Sequence, residues 1–310
     1  QFFFRVLSAG LETRVKNWKS FYHALKSRLF NLQKISRAYQ VGQYHYDIGN
    51  ELYRHMLDTR MVYSCGYWRT AETLEEAQEA KLDLICRKLE LEPGMRLLDI
   101  GCGWGGLAAH AAEKYGVSVV GITVSKEQVA YARNYCKGLP VKIMLEDYRK
   151  VAGRFDRIAS VGMFEHVGYK NYRIFMECLR KLLTNDGLAL LHTIGRNSSV
   201  VIANRWITRY IFPNSMSPSA QQITTATEGL FIVEDWHSFG TDYDTTLLHW
   251  FGNFDKNWEC IRNEQYDERF YRLWKYYLLS CAGSFRARNT QLWQVVLAPL
   301  GRRKEYCAPR

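Results

Sequence analysis

Between Leu97 and Gly106 the chain reads Leu-Leu-Asp-Ile-Gly-Cys-Gly-Trp-Gly-Gly, an apolar run that passes into a cluster of glycines. Glycine lets the backbone take positive φ and approach a ligand closely. In an open parallel sheet such a turn lies at the carboxyl end of a strand, where ligands bind. Gly101, Gly103 and Gly106 satisfy G-x-G-x-x-G, so a dinucleotide is one reading. Two details oppose it. Asp99 stands two residues before the first glycine, and Gly121-Ile122-Thr123, the end of the next apolar run, offers no carboxylate to a ribose. Glu165 follows the apolar Gly162-Met163-Phe164, where a carboxylate is costly to bury unless it is paired or functional. Bonds to backbone amides at a helix start would also account for it. His192 ends an apolar run, a setting in which histidine is more often a satisfied core residue. Asp147 and Tyr148 could accept from an adenine amino group and stack on its ring, or lie in a surface loop. Ser125 with Gln128 three residues on reads as a capping box, which explains that pair without a ligand. Tyr63, Tyr67, Trp68, Phe164, Trp236, Phe239 and Tyr243 offer apolar walls that tolerate positive charge, although aromatics of this kind are mostly core. The eight cysteines are scattered, without a C-x-x-C pair or clustered histidines, so neither a metal site nor a disulfide framework is expected.

The elements that must position these residues follow from periodicity. Ala71–Leu91 reads as an amphipathic helix, and Pro93-Gly94 turns it into a first strand, Arg96–Ile100. Strands at Val117–Ile122, Val141–Leu145, Arg154–Val161 and Gly187–Thr193 then alternate with helices at Leu107–Tyr115, Lys126–Tyr135 and Lys170–Leu183. Apolar runs separated by helical patterns predict a parallel sheet covered on both faces. From about residue 195 the alternation breaks. Residues 196–228 are polar, contain Pro213 and Pro218, and predict an inserted cap of short helices. Leu230–Ser238 returns as a strand, Thr245–Cys260 and Tyr266–Ala282 read as aromatic-rich helices, and Gln291–Ala298 as a last strand.

The chain has 310 residues, 47% of them apolar, and a formal charge of +11. Part of that charge is concentrated. Arg5, Arg14, Lys16, Lys19, Lys26, Arg28, Lys34 and Arg37 face the single acid Glu12 and interleave with Phe2, Phe3, Phe4, Trp18, Phe21 and Phe30. Such a basic amphipathic stretch lies on anionic lipid, tracks phosphate, or is a solvated helix face; charge alone does not choose. No apolar run reaches the ~18 residues of a membrane-spanning helix, so membrane contact is expected to be peripheral. The start at Gln1 rather than Met is expected of a processed or trimmed chain, and Gln1–Phe4 is too short for a signal-peptide core. Reduced thiols suggest the cytoplasm.

The form D-I-G-C-G-W-G-G at 99–106 resembles the nucleotide-binding turn of class I methyltransferases. Together with H-Y-D-I-G-N (45–50), Y-S-C-G-Y-W (63–68), V-G-M-F-E-H-V-G (161–168), L-H-T-I-G (191–195), D-W-H-S-F-G-T-D-Y-D-T-T (235–246) and F-R-A-R-N-T-Q-L-W-Q-V-V (285–296), it resembles the bacterial cyclopropane-fatty-acyl-phospholipid synthases over about residues 2–298. The resemblance implies an α/β class I S-adenosylmethionine-dependent fold, Rossmann-like, with a mostly parallel seven-stranded sheet and an added helical cap. It implies linker helices over 1–43 and a catalytic domain over 44–310, without the amino-terminal lipid-binding domain usual in the family. The substrate would be a cis-unsaturated acyl chain of a membrane phospholipid, met peripherally at the inner face of the membrane. A homodimer is the family expectation, and no nucleic acid is expected as a partner.

The implied chemistry is demanding. An alkene is a weak nucleophile, and its attack on the sulfonium methyl leaves a carbocation. A base must take a proton from the new methyl before water adds. In the family a bicarbonate ion is that base, held by groups matching Cys65, Glu165, His192, Tyr243 and the backbone of Ile194. Cys281 matches a cysteine given an active role, although methyl transfer to an alkene needs no covalent thiol. For S-adenosylmethionine the pattern carries over to Tyr46, Ser64, Gly101, Gly103, Thr123, Gln128, Asp147 and Tyr148. Three rivals remain: a methyl-branching or methylenating enzyme, an RNA methyltransferase, and a non-catalytic lipid-binding protein. An RNA enzyme would show an N/D-P-P-Y-type loop where this chain has Gly162-Met163-Phe164-Glu165-His166.

Overall fold

The computed structural model describes residues 1–9, 49–200 and 204–310. In chain order the elements are α1 (Phe2–Ser8), α2 (Asn50–Met56), α3 (Leu74–Lys88), β1 (Arg96–Ile100), α4 (Gly106–Tyr115), β2 (Ser118–Thr123), α5 (Lys126–Tyr135), β3 (Val141–Leu145), β4 (Phe155–Val161), α6 (Tyr172–Leu182) and β5 (Leu183–Arg196). They continue with α7 (Arg205–Tyr210), α8 (Ala220–Thr227), β6 (Phe231–Ser238), α9 (Thr241–Lys256), α10 (Trp258–Ile261), α11 (Glu268–Arg286) and β7 (Thr290–Pro299). Short 3₁₀ turns occupy Tyr148–Lys150, Phe164–His166 and Tyr169–Asn171.

The strands form one seven-stranded sheet in the order β3-β2-β1-β4-β5-β7-β6. The first five are mutually parallel, and β7 runs antiparallel to both β5 and β6. Side chains alternate between the two faces of a strand, and apolar side chains occupy both. Leu97, Leu188, Leu190 and Val296 pack with α3 and α4 in one core. Their neighbours Leu98, Ala189, Leu191 and Val295 pack with α6 and α8 in another. This double coverage is why the strands read as apolar runs rather than alternating ones. A third core of aromatic side chains from α2, α9, α10 and α11 packs with the segment Leu57–Tyr67.

Several boundaries differ from the sequence expectation. The helix expected from Ala71 starts at Leu74, because Thr73 and Glu76 form a reciprocal capping box. The strand expected over Gly187–Thr193 extends from Leu183 to Arg196; it follows β7 as far as Arg196↔Thr290 and regains β4 at Phe155↔Leu183 beyond a bulge. The helix expected from Thr245 begins at Thr241, which brings Tyr243 onto its first turn. The final helix begins after Asp267, whose carboxylate accepts from Phe270 N (2.8 Å), and runs on to Arg286. Residues 10–48, which carry most of the basic stretch and the 43/44 boundary, lie outside the described residues.

Candidate active site

The carboxyl ends of β1, β2 and β4 open into a cleft with about 1390 Å³ of empty space, its mouth included. Gly101 (φ +82°) and Gly103 (φ +54°) shape its floor. The turn is pinned where Gly101 N and Cys102 N both donate to Ile122 O (2.9 and 3.0 Å). A Cβ on Gly101 would meet the Met163 side chain at 2.8 Å. At Gly103 it would meet no protein atom within 4 Å, so that backbone faces the open cleft.

The remaining cofactor candidates gather around this floor. Thr123 Oγ1 donates to Gln128 Oε1 (2.6 Å), while Ser125 Oγ accepts from Gln128 N. The capping box expected at Ser125 is therefore half formed: the Gln128 side chain turns to Thr123, and its amide nitrogen remains as a donor at the cleft wall. Asp147 and Tyr148 are buried, which removes the surface-loop alternative. Asp147 is gripped by Arg149 through Nε and a terminal nitrogen, both at 2.7 Å, so its carboxylate is oriented before any ligand arrives. Tyr148 packs edge-on to Phe175 (5.1 Å) and lines the cleft. Ser64 also lines the cleft, and its Oγ accepts from Lys81 Nζ at 2.9 Å. Tyr46 lies outside the described residues.

The cleft contains groups that sequence reasoning passed over as site residues. Lys81 and Asp99 are both buried within it. Burial raises the Asp99 carboxyl to about 7, with Lys81 pulling it back, and Oδ2 has no hydrogen-bond partner. His166 lines the cleft as well, and burial lowers its imidazole to about 4. A signal for Lys81 existed: Ala77, Gln78, Lys81, Leu82 and Ile85 share the helical spacing of the buried stripe of α3, an uncommon place for lysine.

A second group lies at the ends of β4 and β5. Glu165 sits on the 3₁₀ turn after β4, and its Oε1 accepts from the Ile194 N–H at 2.7 Å. That partner lies on β5, and the backbone of Glu165 itself, at the start of the 3₁₀ turn, also favours the ionised form. Glu165 Oε2 is buried without a partner. Desolvation raises this carboxyl to about 7, opposed by the Ile194 N–H. His192 is buried in β5, with Nδ1 3.3 Å from the Gln294 side-chain nitrogen on β7 and Nε2 without a partner. Burial holds the imidazole well below its usual value, hence neutral. The Gln294 side chain sets which ring nitrogen carries the imidazole proton: a donating amide nitrogen leaves that proton to Nε2. Gln294 is thus a further residue that sequence reasoning missed.

Cys65 and Tyr243 are tied to the same helix. Thr246 Oγ1 on α9 accepts from Gly66 N (3.1 Å) and Trp68 Nε1 (2.8 Å), which fastens the Cys65–Trp68 segment to the helix that carries Tyr243. Cys65 is buried, its thiol donates to Gly66 O, and burial raises it well above its usual value. Tyr243 packs on Phe285 (4.6 Å) and Trp250 (5.8 Å). Phe239 joins the two groups, with its ring 5.9 Å from His192 and 5.3 Å from Tyr67. Cys281 packs against the same aromatic core as Cys65 and Tyr243; no described hydrogen bond ties it to Glu165 or His192, and burial raises its thiol to about 12, so it is neutral.

The expected aromatic walls divide. Tyr63, Tyr67, Trp68, Phe239 and Tyr243 belong to the aromatic core above the strand ends. Phe164 instead stacks on Tyr172 (4.3 Å), and Trp236 packs on Trp293 (5.2 Å), both in the core with α6. Those two serve the packing of the sheet.

The arrangement combines a nucleotide-sized cleft, an aromatic chamber, and buried polar atoms with unused hydrogen-bonding capacity. Comparison with known proteins agrees with that combination. The chain is 53% identical over 298 residues (96% of this chain, 78% of the other) to cyclopropane-fatty-acyl-phospholipid synthase of Escherichia coli K12. It is 36% identical over 277 residues (82% and 95%) to cyclopropane mycolic acid synthase 3 of Mycobacterium tuberculosis. The solved structure of mycolic acid cyclopropane synthase CmaA1 complexed with SAH and CTAB superposes with a TM-score of 0.78 at 34% identity, over 84% of this chain and 97% of that one. A family model described as mycolic acid cyclopropane synthetase matches residues 33–295, and the chain belongs to that family of S-adenosylmethionine-dependent enzymes.

Proposed function

We propose that the protein adds the methyl carbon of S-adenosylmethionine to the cis double bond of an unsaturated phospholipid acyl chain, closing a cyclopropane ring and releasing S-adenosylhomocysteine. The observation that carries this reading is the pair of buried, unpartnered atoms Glu165 Oε2 and His192 Nε2 beside the aromatic chamber. Methyl transfer alone needs no such pair; ring closure needs a held base.

The residues fit bicarbonate chemically. Glu165 at about 7 carries a proton over much of the neutral range and can donate it, and neutral His192 offers an Nε2–H. Tyr243 supplies a further hydroxyl, while the Cys65 thiol and the Ile194 backbone close the pocket. Bicarbonate, when bound, supplies the base that takes a proton from the transferred methyl. The glycine turn, Thr123, Gln128, Asp147 and Tyr148 would hold the nucleoside of S-adenosylmethionine, which would supply the methyl group. The chamber around Tyr63, Trp250 and Phe239 excludes water, and its ring faces tolerate a transient cation.

A peripheral meeting with the cytoplasmic face of a membrane supplies the acyl chain. Among the described residues no helix is long and apolar enough to cross a membrane. Exposed Phe2, Tyr210 and Tyr276 lie beside exposed Arg5, Arg205 and Arg209. Contacts Phe3–Tyr276 (5.3 Å) and Trp206–Tyr276 (4.6 Å) link α1, α7 and α11. Aromatic and basic side chains in one place suit an anionic lipid surface. Incubation with unsaturated phospholipid vesicles, S-adenosylmethionine and bicarbonate should add one CH₂ (about 14 Da, a methyl less a proton) to the fatty acids and remove the alkene. A mass gain with the alkene intact would make this a methyl-branching or methylenating enzyme instead.

A further inference from the structure

Two lysines lie wholly buried on α3, and they are treated differently. Lys88 Nζ meets Asp235 Oδ2 at 2.7 Å, an ion pair that Arg310 joins at 2.6 Å. Lys81 forms no ion pair among the described residues; its hydrogen bond is to the neutral Ser64 Oγ, at 2.9 Å. The acids nearby do not answer it. Both oxygens of Asp58 are taken by backbone, Oδ1 by Val62 N (2.8 Å) and Oδ2 by Arg60 N (3.1 Å). Asp99 acts on Lys81 only through space. A buried ammonium without a counter-charge is costly, and burial lowers Lys81 to about 8, where it is still mostly charged at neutral pH.

Lys81 and Ser64 both line the cleft. An ammonium has three donors, and Ser64 uses one. Because Ser64 Oγ accepts from Lys81, the serine O–H is left to donate into the cleft. Lys81 and Ser64 therefore present donors and positive charge to the cleft, and Asp99, which lines the same cleft, forms no ion pair with Lys81 among the described residues.

We propose that Lys81, together with the Ser64 hydroxyl it holds, recognises the α-carboxylate at the amino-acid end of the cofactor. This rests on the reading that the cleft binds S-adenosylmethionine. Lys81 is then a specificity residue for the amino-acid end of the nucleoside. It favours ligands that bear that carboxylate over nucleosides that lack it, and it leaves the methyl-transfer geometry to other groups.

The test compares three ligands on the wild type and on Lys81→Met, which keeps the length and volume of the side chain. The ligands are S-adenosylhomocysteine, its analogue lacking only the amino group, and 5′-methylthioadenosine, which has no amino-acid end. Calorimetric affinity for the first two should fall roughly 10- to 100-fold, as expected for a lost charge-assisted hydrogen bond, with 5′-methylthioadenosine changed by less than about twofold. Equal losses for all three ligands would reduce Lys81 to a packing residue and overturn the proposal. So would an unchanged affinity for the carboxylate ligands. Should Lys81→Met not fold, the wild type still decides. Affinity for the deamino analogue must weaken as pH rises through about 8 while that for 5′-methylthioadenosine stays level, and parallel profiles refute the assignment. If the wild type binds neither nucleoside, the cofactor reading itself fails and takes this one with it.

Discussion

The cofactor cleft and the aromatic chamber are adjacent but built on different principles. The cleft is formed by strand ends and tight turns: Gly101, Gly103, Thr123, Gln128 and Asp147 lie within 47 residues of one another, and two of the five act through backbone geometry. It also keeps buried charge, in Lys81 and Asp99. The chamber is assembled from side chains far apart in sequence. Tyr63 meets Tyr277 hydroxyl to hydroxyl at 2.9 Å, Thr246 holds the 65–68 segment, and Glu165 meets Ile194. Its ionisable groups are held neutral, His192 low and the Cys65 and Cys281 thiols high. The cleft keeps buried charge of its own beside the nucleoside site, whereas the chamber keeps its histidine and thiols neutral, so that a bound anion would meet little competing protein charge.

That contrast predicts different failures. The largest should follow Glu165→Gln, which removes the acid from the chamber. Turnover to cyclopropane should fall about 10²- to 10⁴-fold, as for loss of a positioned acid or base, while calorimetric S-adenosylhomocysteine affinity is unchanged. A matching loss of cofactor binding would erase the division between the halves.

The same substitution should show in stability. The Glu165 carboxyl is raised from 4.5 to about 7 on folding. Below about 4.5 the group is protonated whether folded or unfolded. Between 4.5 and 7 the unfolded chain releases the proton and the folded chain keeps it, so stability falls as pH rises. Relative to Glu165→Gln, the wild type should lose on the order of 3 kcal/mol across that window and then level off. Denaturant melts of both proteins from pH 4.5 to 7.5 would measure it, and a flat difference would contradict a buried, desolvated carboxyl.

The smallest effect should come from the cleft. Gly101→Ala places a Cβ 2.8 Å from Met163 at φ +82°. It should weaken S-adenosylhomocysteine binding by about 1–3 kcal/mol through backbone strain. Turnover at saturating cofactor should change little. A fall in saturated turnover without a change in affinity would show that the glycine turn serves the chemistry directly.

Legibility divides along the same line. The strands β1 and β3 and the helix α5 begin and end where periodicity placed them, because each is a local apolar or amphipathic pattern between turn signals. The glycine turn was readable for a similar reason, since positive φ demands glycine. Gln128 was harder: its spacing from Ser125 spelled a capping box, but Thr123, five residues away, competed for the side chain. Phe164 and Trp236 read as either chamber walls or core and pack as core with the sheet, because nothing local reveals which face of the sheet an aromatic will meet. Gln294 and Lys81 carried weak signals, a glutamine in an apolar strand and a lysine on an apolar stripe. Their meaning depends on partners 102 and 17 residues away.

The sequence by itself determined the alternating α/β order, the doubly covered sheet and the ligand-binding turn, all of which follow from local periodicity and backbone sterics. It also carried the motifs of the family. Only the tertiary structure decided which buried groups meet: Glu165 with the Ile194 amide, His192 with Gln294, and Lys81 with Ser64 rather than with an acid. Protonation, tautomer and unspent hydrogen-bonding capacity depend on desolvation and on neighbours brought in by long-range packing, and those exist only once the chain has folded.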